Sequence, residues 1–424
     1  PNETLATAMD LCPTSLITGG DSGDDDYRYD YFKVTASSNT MTVSLSHVSA
    51  LASASDFYVT VYDSSSNEID SFDALDGVSN EIERWVTSEA SYFIRVNHIY
   101  AGTYKYKLNV QFSTTSGSLE LDTANDTIAT AMTLTDNTTM RGERNGSSDS
   151  YDYYKITAPS GKTSMNVEFT HDNASASGSD NLIYVYKYIA EGNTPEVQYF
   201  ASEDGVDDNR TFGVVAEVTY HILVDVNSSF GSSSGYTRYR YGLRASFGTE
   251  VYELEHNNST TYAQSITAGT TYTGGYDGSS VEDPYYYAND YFKVTASSNT
   301  MTVSLSHVSA LASASDWDVV VYNSSGTQID SFSANNGVDA SDNTTVTSGE
   351  SYYIRIYVYA GYSGGCFSCT VGYKYKLNTE FSSTSGSVEL DTPNDTIATA
   401  MTLGDNTTMT GQRNGGTDTY DYYK

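Results

Sequence analysis

Short runs in which apolar and polar residues alternate recur along the whole chain. In FYVTVYD (Phe57 to Asp63), Phe57, Val59 and Val61 fall on one side of an extended strand and Tyr58, Thr60 and Tyr62 on the other. DVVVYN repeats the scheme with Val319 and Val321, and LIYVYK with Ile183 and Val185. SYFIRVN (Ser91 to Asn97), SYYIRIY (Ser351 to Tyr357) and TYHILVD (Thr219 to Asp225) read as the next strand of each unit. Turn signals separate these runs. Roughly seven or eight short strands in about 120 residues predict a two-sheet β-sandwich.

The runs belong to repeats. YFKVTASSNTMTVSLSHVSALASASD, from Tyr31 to Asp56, returns unchanged from Tyr291 to Asp316, and NDTIATAMTL at Asn125 to Leu134 returns at Asn394 to Leu403. Two kinds of unit alternate, giving tandem jelly-roll-like β-sandwich domains in an A-B-A-B array. The expected domains are A1 over 1–115, B1 over 119–248, A2 over 251–384 and an incomplete B2 over 388–424. Ser/Thr/Gly stretches at Ser113 to Ser118 and Ser382 to Ser387 read as brief A-to-B linkers. A2 carries an added loop, YSGGCFSCTVG, from Tyr362 to Gly372. The start at Pro1, without initiator Met or signal peptide, reads as a processed or excised piece. The stop at Lys424 leaves B2 with too few strands to close, which implies continuation or completion by another subunit.

Composition sharpens the picture. Thr, Ser, Val, Tyr, Gly and Asn dominate, and 39 tyrosines among 424 residues favour strands. The 54 acidic against 21 basic residues give a formal charge of −33, which repels nucleic acid and anionic lipid and attracts cations. No run approaches the ~18 apolar residues of a membrane span. The cysteines are Cys12, Cys366 and Cys369, the last two suited to a local disulfide or one bond to Cys12 of a neighbouring molecule. Asn-x-Ser/Thr acceptors lean toward a secreted, glycosylated surface: Asn137, Asn145, Asn173, Asn209, Asn227, Asn323, Asn343 and Asn406 are the glycan candidates.

The acidic residues concentrate where one unit leads into the next. B1 offers Glu120, Asp122, Asn125 and Asp126 in ELDTAND, then Asp149 and Asp152 in DSYDYY. B2 offers Glu389, Asp391, Asn394, Asp395, Asp418 and Asp421 at matching positions. A2 offers Glu253, Glu255, Asn257, Asn258 and Asp290, with Tyr287 in place of the first Asp of the second motif. In A1 the upstream acids would precede Pro1. Ca²⁺ takes six to eight hard oxygens, and carboxylates spaced by one or two residues on a linker and a loop can supply them. Acidic turns are also often simply solvated. Asn125 and Asn394 are sequons as well, and a residue does not easily serve as both buried ligand and glycan anchor.

Taken in order, NDTIATAMTL, a Gly-containing turn (RGERNG, TGQRNG), SYDYYKI and NDYFKV, DNLIYVYK and DFYVTVYD, and SYFIRV with AGTYKYKLNV resemble the bacterial pre-peptidase C-terminal domain family. That family includes the collagen-binding domains of clostridial collagenases. The resemblance implies a jelly-roll-like β-sandwich that serves as an accessory to secreted peptidases or stands in surface proteins. It also implies calcium bound where acids leading into the first strand meet an Asp-x-x-Asp-Tyr turn.

Signs of chemistry are few. His47 and His307 occupy the same place in the two A copies without a nucleophile signature beside them, so they read as strand or loop residues. GSSSG at Gly231 to Gly235 lacks the strand-to-helix setting of a nucleophile elbow. Tyr104, Tyr106, Tyr236, Tyr239, Tyr241, Tyr373 and Tyr375 alternate with Lys or Arg on the last strand, which suits either a half-covered sheet or a binding face. The sequence therefore predicts no catalytic residues. It predicts an extracellular structural repeat protein, a subunit of a filament, sheath or adhesin stalk, with Ca²⁺ as cofactor and itself as partner. The alternative is a non-catalytic tail of a secreted hydrolase that binds collagen-like, glycan or protein ligands.

Overall fold

The computed structural model describes residues 2–12, 16–20, 29–48, 56–98, 105–120, 125–145, 151–171, 180–187, 196–202, 206–227, 238–255, 257–276, 289–308, 317–358, 373–383, 387–388, 396–404, 409–410 and 422–424. The chain is all-β. It divides into two compact units, Pro1–Thr123 with Thr139–Glu143, and Ala124–Thr138 with Arg144–Lys424.

A1 sets the pattern. Its strands are β1 (Met9–Leu11), β2 (Leu16–Gly20), β3 (Tyr29–Thr35), β4 (Thr40–His47), β5 (Phe57–Tyr62), β6 (Glu68–Ala74), β7 (Asn80–Trp85), β8 (Ser91–His98) and β9 (Lys105–Ser113). One sheet runs β1-β3-β8-β5-β6 and the other β2-β9-β4-β7. β1 pairs parallel with β3, and the pairings of β3 with β8, β5 with β8 and β4 with β9 are antiparallel. Alternation decides what each strand buries. Tyr92, Ile94, Val96 and His98 of β8 and Tyr106, Leu108 and Val110 of β9 turn inward. They pack with Phe32, Val34, Met41, Val43, Phe57 and Val59 into one core between the sheets. Full burial of each such side chain stabilises by about 1.5–3 kcal/mol.

Thr60 departs from the expected alternation. It is 0% exposed although its neighbours Val59 and Val61 are the core residues. Arg95 lies across the outer face, with Nη2 donating to Thr60 Oγ1 at 2.9 Å and its guanidinium 5.3 and 5.4 Å from the rings of Tyr29 and Tyr62. The long stem of the arginine covers the threonine.

The same plan recurs. In A2 one sheet orders Gln264–Ser265, Asn289–Thr295, Ser351–Val358, Trp317–Tyr322 and Gln328–Ala334, and the other Tyr272–Tyr276, Tyr373–Ser382, Thr300–His307 and Ala340–Thr345. In the B1 segment one sheet orders Met132–Thr133, Tyr151–Thr157, Thr219–Asn227, Asp180–Lys187 and Glu196–Ser202. The other orders Arg238–Gly248, Ser164–His171 and Asp208–Gly213, and Ser118–Leu119 pairs parallel with Met140–Asn145. Ser387–Val388 pairs parallel with Met409–Thr410 in the last segment. NDTIATAMTL builds a single 3-10 turn, Ile128–Thr130 and again Ile397–Thr399, each opened by a Thr-Thr side-chain pair.

Many tyrosines have a structural task. The hydroxyls of Tyr92, Tyr220 and Tyr352 accept the N–H of Thr87, Val215 and Thr347 at 2.8, 2.8 and 2.7 Å. Each ring enters the core while its hydroxyl satisfies a turn donor five residues upstream. His47 and His307 close the β4 strand and its A2 counterpart, as the sequence suggests.

Candidate metal centre

The chain enters A2 as an extended segment. Tyr252 forms a parallel bridge with Thr273. Thr273 N–H donates to Val251 O and Glu253 N–H to Thr273 O, both at 2.8 Å. This fixes Glu253 above the strand Tyr272–Tyr276, where Gly275 N–H donates to Glu253 Oε1 at 2.7 Å. Gly274 has to be glycine. A Cβ there would lie 2.4 Å from the Tyr375 ring and 2.7 Å from Glu253 Oε2.

Tyr375, fully buried, projects from the neighbouring strand between two carboxylates. Its hydroxyl is 3.0 Å from Glu253 Oε2 and 2.7 Å from Asp290 Oδ2. One proton serves one acceptor at a time, so the hydroxyl is shared between the two carboxylates. Carboxylate oxygens of Glu253, Glu255 and Asp290 all lie within 4.8 Å of one another. Burial, then Asp290, then Glu255 push the Glu253 carboxyl well above its ordinary value. Burial and the two acids likewise raise the Tyr375 phenol. Beside this cluster Tyr291 N–H donates to Asn257 O at 2.9 Å. Asn257 is 0% exposed, and its amide Oδ1 and Nδ2 make no hydrogen bond among the described residues. The three carboxylates form a hard-oxygen donor set of the kind Ca²⁺ takes.

On its other side the entering segment is pressed against B1. Thr163 Oγ1 donates to Glu250 O at 3.0 Å, and a Cβ on Gly213 would lie 2.2 Å from Glu253 O.

B1 repeats parts of this design. Glu120, Asn125 and Asp152 are buried at 2, 1 and 2% exposure. Glu143 N–H approaches Glu120 Oε2 at 3.4 Å, and Tyr153 N–H donates to Asn125 O at 2.8 Å. Tyr241 donates to Asp152 Oδ2 at 2.5 Å, with Tyr154 hydroxyl 2.8 Å from that of Tyr241. In A1, Tyr106 donates to Asp30 Oδ2 at 2.6 Å, and a Cβ on Gly19 would strike the Tyr106 ring at 2.3 Å.

The structure thus brings together Glu253, Glu255 and Asp290 of the expected ligands, with Asn257 beside them. Asp126 and Asn258 are exposed, because each follows an asparagine whose backbone is tied to the next strand. Asp122, Asp149, Glu389, Asp391, Asn394, Asp395, Asp418 and Asp421, and Tyr287, lie outside the described residues. The idea of a last-strand tyrosine binding face needs correction. Tyr106, Tyr241 and Tyr375 are buried at 2, 0 and 0% exposure, because they hold the carboxylates; the exposure of Tyr104, Tyr236, Tyr239 and Tyr373 is not described. A signal for these pairs was present in the sequence: ITGG (Ile17 to Gly20) and YTGG (Tyr272 to Gly275) each accompany a YKY on the last strand.

Among the glycan candidates, Asn137, Asn209 and Asn343 are exposed, and Asn323 is half-buried with Oδ1 accepting from Ser325 and Thr327 N–H. Asn145 and Asn227 lie on strands, and Asn173 and Asn406 fall outside the described residues. Cys12 is exposed, while Cys366 and Cys369 are not among the described residues. No long apolar helix able to cross a membrane occurs among the described residues.

No protein-family model and no curated protein matches the chain. Solved structures of slight likeness include these three. Tripeptidyl peptidase 2 (TPP II) is 10% identical with a TM-score of 0.20, over 88% of this chain and 32% of that one. The M60 catalytic domain with the CBM51-1 and CBM51-2 domains of Clostridium perfringens ZmpB is 8% identical with a TM-score of 0.17, over 52% of this chain and 34% of that one. The N-terminal CBM22-1-CBM22-2 tandem domain of Paenibacillus barcinonensis Xyn10C is 8% identical with a TM-score of 0.19, over 55% of this chain and 91% of that one. This chain spans about a third of the first two, and likenesses so slight say nothing of activity or ligand.

Proposed function

We propose that the chain is a stretch of an extracellular structural array, part of a filament, sheath or adhesin stalk, whose β-sandwiches are stiffened by calcium. One observation carries the reading: Glu253, Glu255 and Asp290 converge where B1 hands over to A2. A cation there would tie the entering segment to the first long strand of the next sandwich, so the site has a mechanical use at a junction. Ca²⁺ would compensate the charge of the three converging carboxylates. Membership in the pre-peptidase C-terminal family, a secreted location and glycans on Asn137, Asn209 and Asn343 belong to the same proposal. Electron microscopy of the native material with and without a calcium chelator tests it. Ordered fibres that loosen on chelation support the reading, whereas dispersed molecules indifferent to chelator sink it.

A second reading, a non-catalytic ligand-binding tail, is favoured by the outer face of the five-stranded A1 sheet. There Tyr29, Tyr31 and Tyr62 flank Arg95 as a half-exposed aromatic surface of the kind that takes glycan or protein ligands. Retention on immobilised polysaccharides or collagen-like peptides, lost on Tyr31→Ala, separates it from the first.

A further inference from the structure

The two A sandwiches differ at a buried position of the strand that ends the four-stranded sheet. In A1 it is Arg84 on β7, opposite Met41, and in A2 it is Thr344, opposite Met301. Thr344 is satisfied inside its own sandwich, its hydroxyl donating to Asp330 Oδ2. Arg84 reaches outward instead, with Nη1 donating to Glu143 Oε1 on the strand Met140–Asn145. Both residues belong to one compact unit, Pro1–Thr123 with Thr139–Glu143, and their side chains are 7 and 5% exposed.

The chain writes this joint a second time with different letters. Thr410 stands opposite Val388 as Arg141 stands opposite Leu119. Two residues further on, Gln412 is therefore the sequence counterpart of Glu143, although it lies outside the described residues. Arginine goes with glutamate at the first joint, and threonine with glutamine at the second. A buried ion pair adds little net stability, because desolvation offsets the attraction, whereas removing one partner strands the other charge without water. Such a pair discriminates against wrong partners more than it strengthens the right one.

We propose that Arg84 and Glu143 are the recognition pair of the A1-to-B1 joint. They admit a B sandwich with glutamate at this place and reject one with glutamine, which keeps each A sandwich with its own successor. The partner A1 fits is defined by chemistry: a strand that brings one carboxylate to a buried guanidinium. This device shares no residue with the acidic cluster of A2 and is independent of whether calcium occupies it.

The test uses the full chain with Arg84→Thr, with Glu143→Gln and with both changes, which completes the four combinations of the chain's own alternatives. Native-state hydrogen exchange is read at Ser118 and Glu120, whose N–H groups donate to the Thr139 and Arg141 carbonyls at 2.9 and 2.8 Å. Strand β8, in the middle of the five-stranded A1 sheet, is the internal control. Each single change should speed exchange at the joint about a hundredfold, and the double change should return it to within about tenfold of the unaltered chain. Protection of β8 should hold throughout. Single variants that exchange no faster than the unaltered chain, or a double variant as fast as the faster single, overturn the proposal. Equal acceleration in β8 also overturns it, since the pair would then hold A1 itself together and not its neighbour.

Discussion

A tyrosine hydroxyl resting on an aspartate is the residue-level signature of this chain, seen at the half-buried Asp30 with Tyr106 and at the buried Asp152 with Tyr241 and Asp290 with Tyr375. In A2 the same hydroxyl also faces Glu253, so Tyr375→Phe removes the one polar group held between two carboxylates. Leaving buried acceptors unsatisfied costs about 1–3 kcal/mol each. Urea unfolding of the metal-free chain should show a larger loss for Tyr375→Phe than for Tyr106→Phe. The raised Glu253 carboxyl gives a pH dependence of defined sign. The folded chain keeps that proton where the unfolded chain, near its ordinary value of 4.5, gives it up. The contribution is complete below that value and is lost as pH rises through the folded-state value. Metal-free melting temperature should therefore fall as pH is raised from the ordinary carboxylate range, and Glu253→Gln should flatten that segment of the curve. Glu253, Glu255 and Asp290 were legible in the sequence because acids stand out at junctions. Tyr375 was not legible as their partner, since among 39 tyrosines its mark is only a YKY that accompanies YTGG on a strand far away in sequence.

At the scale of elements, alternation located the strands well: Ile183 and Val185, Val319 and Val321, and Phe57, Val59 and Val61 all face a core. It failed where a neighbour on the outer face mattered, as Arg95 does for Thr60. It was also silent on two-residue edge strands such as Ser118–Leu119, too short to show a period. Those short edges govern how one sandwich begins. Thr273→Pro should break the bond to Val251 O and destabilise A2 by about 1–3 kcal/mol. Differential scanning calorimetry of that variant against the unaltered chain reads the loss directly.

For the whole molecule, the repeated letters announced repeated sandwiches, and the paired sheets follow one order from A1 to A2. What the letters did not announce is which acids converge, because that depends on strands far apart in sequence. If Ca²⁺ occupies the Glu253, Glu255 and Asp290 cluster, it binds the folded chain and not the unfolded one. The melting transition should then climb with the logarithm of calcium concentration, and Glu255→Gln should reduce the slope. Magnesium at equal concentration should do less, since it holds its water and demands a tighter octahedron.

The backbone contact at Gly213 has a consequence for how such a chain can change over time. Because the Glu253 carbonyl occupies the space a side chain would need, the B1 strand Asp208–Gly213 and the first residues of the following A sandwich are fitted to each other. A recombination that joined B to a different successor would lose that fit, and a substitution at residue 213 would have to be answered across the junction. The pair, and not the single sandwich, is therefore the smallest piece that can be copied without repair. Duplication in whole A-B blocks, the order in which this chain repeats itself, is the kind such a joint permits.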